Sequence, residues 1–205
     1  MQNKEKKRHA PALSVWEMVV FAMLGTVMFC SKIIMEALPN IHLVGALTMA
    51  YTVAFRKKAL IPIYIYVVLN GLYAGFSAWW VPYTYIWTIL WIVVMLLPRR
   101  LPRWAKAIVF PVICGVHGFA FGTLYAPAQA IMFHLDFQGM LAWIGAGLPF
   151  DLIHGVGNAL AGLIVLPLGE VLTRLHKSAR KRQQKQSKIE EKCRFSDYTF
   201  PLIFT

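Results

Sequence analysis

Long apolar runs separated by short clusters of Lys and Arg set the rhythm of this chain. A hydrocarbon core about 30 Å thick takes roughly 20 helical residues. Cut against that ruler, the runs predict six spans, at residues 14–35, 43–55, 60–78, 83–97, 105–124 and 148–172. The second and fourth are short. The apolar stretch 141–172 is too long for one span and contains Gly145, Gly147 and Pro149. Because proline suits the first turn of a helix, the expected parse is a short interfacial helix followed by a fresh start near Pro149.

Charge gives these spans a direction. Cytoplasmic loops carry an excess of Lys and Arg, and here Lys4, Lys6, Lys7 and Arg8 precede the first span. Arg56, Lys57 and Lys58 follow the second, Arg99, Arg100, Arg103 and Lys106 follow the fourth, and the remainder lie beyond the sixth. The intervening loops, 39–42, 79–82 and 125–139, hold no Lys or Arg. The expectation is an all-α membrane protein of about six transmembrane helices with both termini in the cytoplasm. It divides into a basic N-terminus at 1–13, a membrane domain at 14–176, and a basic tail at 177–205 that is either a helix extension or a flexible arm.

Composition excludes the main alternatives. With 58% hydrophobic and 15% charged residues over 205 positions, the chain has too little polar surface for a soluble globule. The formal charge of +12 does not point to nucleic acid, because the cations cluster between apolar runs instead of interleaving along a surface. The first run stays apolar from Ser14 to Met35 without a small-residue cleavage site, so no removable signal peptide is expected. Cys30, Cys114 and Cys193 lack the close spacing of zinc or redox motifs and read as packing residues. There is no GxxxxGK[ST] phosphate loop, so ATP hydrolysis by this chain alone is not expected. No cofactor or metal is expected either, since HExxH and tight His pairs are missing.

Polar side chains inside spans are costly, so each needs a partner, a wet cavity or a ligand. Lys32 is the one basic residue away from the cytoplasmic segments, and Glu36 follows it at i+4 on the same predicted helix face. In the third span Tyr66, Asn70, Tyr73 and Ser77 form one predicted stripe. In the sixth, Asp151, His154 and Asn158 stand at i, i+3 and i+7, again one face, with Gly155 and Gly162 beside it. His117 lies among Gly115, Gly118 and Gly122. Lys32 and Glu36 read either as a neutralising pair at the outer interface or as a gate or ligand contact; for the others, helix packing and ligand contact remain the two readings. Trp79, Trp80, Tyr83, Tyr85 and Trp87 gather near the outer boundary, as an interfacial belt or as a mouth suited to stacking a planar ring. Ala22, Thr26 and Cys30 recur every four residues, a small-residue face fit for helix contact.

The stretches FAMLGTVMFCSKIIMEALPNIHL, RKKALIPIYIYVVLNGLYAGFSAWWVPYTYIWT, GVHGFAFGTLYAPAQA and GLPFDLIHGVGN resemble the substrate-specific S components of energy-coupling factor (ECF) importers of Gram-positive bacteria. The resemblance covers residues 14–176. It implies a multi-pass subunit of the bacterial plasma membrane that captures a vitamin or related micronutrient from outside, then works with a transmembrane scaffold subunit and two ATPases. It also implies that the first helix docks on the scaffold through an AxxxA face, which Ala22 matches and Thr26 departs from. The outer loop between the first two helices would cover the ligand, making Glu36, Asn40 and His42 contact or gate residues. Together with the residue reading, the expected substrate-binding set is Glu36, Asn40, His42, Asn70, Tyr73, Trp80, Trp87, His117, Asp151, His154 and Asn158. Two other classes remain: a proton-coupled carrier using Asp151 or Glu36, and an intramembrane enzyme using His117, His154 and Asp151.

Overall fold

The computed structural model of the protein describes residues 13–38 and 41–197, which form helices, turns and short loops with no strand among them. Helix α1, Val15–Ile34, starts on a capping box in which the Ser14 hydroxyl accepts from the Glu17 N–H and the Glu17 carboxylate accepts from the Ser14 N–H. This arrangement satisfies two otherwise orphaned donors. The buried residues Phe21, Gly25 and Met28 form its inner face and pack on α3, Leu60–Ala74. Helix α2, Val44–Phe55, is buried for most of its length. It touches α1, α4, α5, α7 and α8, the position of a helix that is apolar all round.

A 3-10 turn at Arg56–Ala59 joins α2 to α3. Helix α3 ends at Ala74 because Gly75 takes φ +87°, a conformation open mainly to glycine. The remaining helices are α4 (Tyr83–Leu96), α5 (Arg103–Phe119), α6 (Phe121–Phe133), α7 (Phe137–Gly162) and α8 (Val165–Asp197). Among the described residues, four helical stretches are long and apolar enough to cross a membrane: Val15–Ala37, Ala78–Leu96, Arg103–Phe133 and Phe137–Gly162. At 12 and 15 residues, α2 and α3 are each shorter than the roughly 20 residues that a full span takes.

Three boundaries differ from the sequence expectation. The sixth helix does not restart at Pro149; α7 runs through it from Phe137 to Gly162. Proline is tolerated within helices of membrane proteins because neighbouring helices and local backbone adjustments satisfy the freed groups, and Pro111 and Pro127 sit inside α5 and α6 in the same way. The break comes instead at Leu163–Ile164, after which α8 carries the basic segment onward as helix to Asp197. The fifth predicted span is divided at Ala120, where α5 passes into α6.

The bundle has two unlike ends. At one, Arg56, Lys57, Lys58, Arg99, Lys106, Arg174 and Lys177 line two clefts. Lys58 pairs there with Glu17 at 2.6 Å, Arg103 with Glu170 at 3.3 Å, and Arg56 donates to the Met95 carbonyl at 3.0 Å. At the other, α1 ends and α2 and α4 begin, and Lys32 is the one Lys or Arg among the described residues.

Helix α7 reaches this second end by packing antiparallel on α5 and α6. A β-carbon at Gly118 would lie 2.8 Å from the Asn158 amide nitrogen, the Gly155 α-carbon and the His154 carbonyl oxygen. Only glycine permits so close an approach.

Candidate ligand-binding site

The close seam between α5, α6 and α7 decides what the polar face of α7 meets. Asp151 is 7% exposed, and its Oδ1 accepts the Gly122 backbone N–H at 2.9 Å. Gly122 stands just inside α6, where backbone donors are not yet used by the helix. One turn further along α7, His154 is buried, and its Nε2 lies 3.1 Å from Asn158 Nδ2. The expected triplet of Asp151, His154 and Asn158 therefore does share one inward face.

Aromatic rings close around it. His154 meets His42 and Phe121, each at 4.8 Å between centroids. Behind them Trp87, 1% exposed, touches His42, Tyr66, Tyr83, His117 and Phe121 at 5.7 to 6.1 Å. His117 is tied to the opposite helix through Nε2, 3.3 Å from the Ile86 carbonyl.

A cavity of about 200 Å³ lies at this junction. Lys32, Glu36, His42, Tyr83, Phe121, Asp151 and His154 line it, with Met35, Leu38, Ile41 and Phe150 completing the wall. Several buried polar atoms of the lining and the shell behind it have no hydrogen-bond partner among the described residues: His42 Nδ1, Trp87 Nε1, His117 Nδ1, Asp151 Oδ2 and Asn158 Oδ1. Buried polar groups are nearly always satisfied, so these atoms make the cavity a candidate ligand site. A few placed polar groups within mostly apolar and aromatic walls are the usual chemistry of a small-molecule site.

Of the residues expected from sequence, Glu36, His42, Asp151 and His154 line the cavity, and Trp87, His117 and Asn158 form the shell behind it. Three others lie apart from the lining. Trp80 Nε1 donates to the Val67 carbonyl at 2.8 Å. Tyr73 is exposed and leans edge-on against Phe29 at 5.6 Å. Asn70 is buried in α3 with neither amide atom partnered among the described residues. Asn40 lies outside the described residues.

The stripe drawn through Tyr66, Asn70, Tyr73 and Ser77 divides: Tyr66 and Asn70 are buried, Tyr73 is exposed, and Ser77 falls beyond the end of α3. The expected i, i+4 pair of Lys32 and Glu36 is also corrected. Helix α1 ends at Ile34, Glu36 sits in a 3-10 turn, and the two form no ion pair among the described residues. Ala22 and Thr26 lie on the exposed face of α1.

Sequence reasoning passed over Phe121 and Phe150 as lining residues, and named Tyr83 only within the aromatic belt or mouth. Phe121 carried a usable signal, because it follows His117 by four positions and so continues its face. Phe150 precedes Asp151 directly, and nothing in the pattern sets it apart from neighbouring apolar residues. No cluster of three or more His, Cys, Asp or Glu side chains among the described residues is placed to hold a metal ion. Compared with known protein families, with curated proteins and with solved structures, the chain matches none.

Proposed function

We propose that this chain is the substrate-specific membrane subunit of an ECF-type importer. In this reading it captures a vitamin or related micronutrient from outside and delivers it together with a transmembrane scaffold subunit and two ATPases. The observation that carries the reading is the cavity at the cation-poor end, where Asp151, held by Gly122, faces His42, His154 and the aromatic wall. In the bacterial plasma membrane, the positive-inside rule puts the basic clefts in the cytoplasm and the cavity toward the outside, with both termini cytoplasmic. The six expected spans then require the two shorter helices, α2 and α3, to cross alongside the four longer stretches. Binding demands no covalent chemistry.

The test is a thermal-shift screen of the detergent-purified chain alone against vitamins and nucleobase precursors. A ligand present at a hundred times its Kd stabilises the folded state by about 2.7 kcal/mol. One strong hit without ATP or partners is the expected result, with the shift lost in Asp151→Ala and Asn158→Ala. A folded sample that responds to no compound overturns the proposal.

The buried Asp151 carboxylate also supports a second reading, a proton-coupled carrier. Vesicles holding this chain without ATPases would then accumulate substrate under a proton gradient, which a capture subunit does not do.

A further inference from the structure

The cavity is charged against the rest of the chain. Its lining sets one cation, Lys32, against two carboxylates, Glu36 and Asp151, while the whole sequence carries +12. The two carboxylates differ in setting. Glu36 is exposed at the rim, whereas Asp151 is 93% shielded, one oxygen fixed by Gly122 and the other, Oδ2, buried without a partner. Lys32 forms an ion pair with neither among the described residues. A carboxylate at this depth is costly unless something pairs with it, and a cationic ligand would do so.

The walls point the same way. Phe121 and Tyr83 stand edge to face at 6.3 Å, and Phe121 meets the His154 ring at 4.8 Å. Aromatic faces attract cations through their quadrupoles. Size sets the last constraint: an apolar cavity of about 150 Å³ holds one benzene, so about 200 Å³ holds one ring with small substituents.

We propose that the cavity selects a compact planar nitrogen heterocycle carrying a positive charge. Its ring lies against Phe121 and Tyr83, and a ring or exocyclic N–H donates to Asp151 Oδ2. This inference rests on the capture reading and narrows it to a substrate class.

Calorimetric titration of the purified full chain with three matched single-ring probes tests it: 4-aminopyridine, which is protonated at neutral pH, neutral nicotinamide and anionic nicotinate. The expected order is the aminopyridinium at least about tenfold tighter than nicotinamide, with nicotinate weakest. In Asp151→Asn the cation should lose about tenfold while nicotinamide is unchanged. Should that variant not fold, Phe121→Leu takes its place, with a severalfold loss expected for the cation alone.

Tighter binding of nicotinate or nicotinamide, or a cation preference that survives both substitutions, overturns the charge selection and leaves the capture reading standing. A hit confined to a larger or anionic vitamin in the thermal-shift screen does the same. Failure of every compound in both experiments removes the two proposals together.

Discussion

Two small-residue seams in this molecule have the same sequence character and opposite fates. Along α5, α6 and α7, Gly115, Gly118 and Gly122 meet Ala159, Gly155 and Asp151 in antiparallel register, and every one of these contacts is internal. Along α1, Ala22, Thr26 and Cys30 repeat at the same helical spacing and lie exposed, the Thr26 hydroxyl donating to the Ala22 carbonyl at 3.0 Å within its own helix. Helix α1 meets α3 with a different face, that of Gly25. Small residues at i, i+4 allow close helix contact without saying with what. The first seam assembles the cavity, and the second remains for lipid or for the proposed scaffold subunit.

The contrast can be broken at several points. Gly118→Leu should have the largest effect, because the new side chain meets backbone atoms of α7 that cannot move aside; a loss of about 3 kcal/mol or more is expected. Thermal melting in detergent would read it, and a variant as stable as the parent would refute the close seam.

Gly122→Ala comes next. Its β-carbon would press on the Asp151 carboxylate, so ligand affinity should fall about tenfold for a stability cost of about 1 kcal/mol. Unaltered binding by calorimetry would detach Asp151 from the site.

Glu17→Gln removes the 2.6 Å pair with Lys58 that ties the start of α1 to the turn before α3. With Lys58 40% exposed, the expected loss is about 0.5 kcal/mol, in the range of surface pairs. A drop of several kcal/mol on melting would show α1 to be anchored there more than by its Phe21–Gly25–Met28 face.

Ala22→Leu should leave stability within about 0.5 kcal/mol and ligand binding intact, yet abolish co-purification with the scaffold subunit. A variant that still assembles would end the docking role proposed for this face.

Several parts of this picture were legible in the sequence. The ends of α1, α2 and α4 fall within one or two residues of the expected spans, because long apolar runs bounded by charge or proline leave little choice. The face shared by Asp151, His154 and Asn158 followed from helical periodicity alone, once α7 was helical through that stretch. Pro149 misled because a proline marks a helix start only where its freed carbonyl cannot be satisfied otherwise, and that depends on neighbours. The α3 stripe misled at two points: Gly75 ends the helix before Ser77 is reached, and Tyr73, still within α3, lies exposed instead of joining Tyr66 and Asn70 inside.

The sequence by itself determined an apolar helical chain suited to a membrane, the segregation of its cations, and which polar side chains share a helix face, since each depends only on composition and on a period of 3.6 residues. Which faces meet was decided by the tertiary structure alone. Asp151 becomes a cavity residue because Gly122 and Gly118 let α7 approach α5 and α6 closely enough for a backbone N–H to hold its carboxylate. Asn70, equally polar, is buried away from the cavity lining in α3. Such contacts join residues far apart in the chain, and local patterns carry no information about their distance in space.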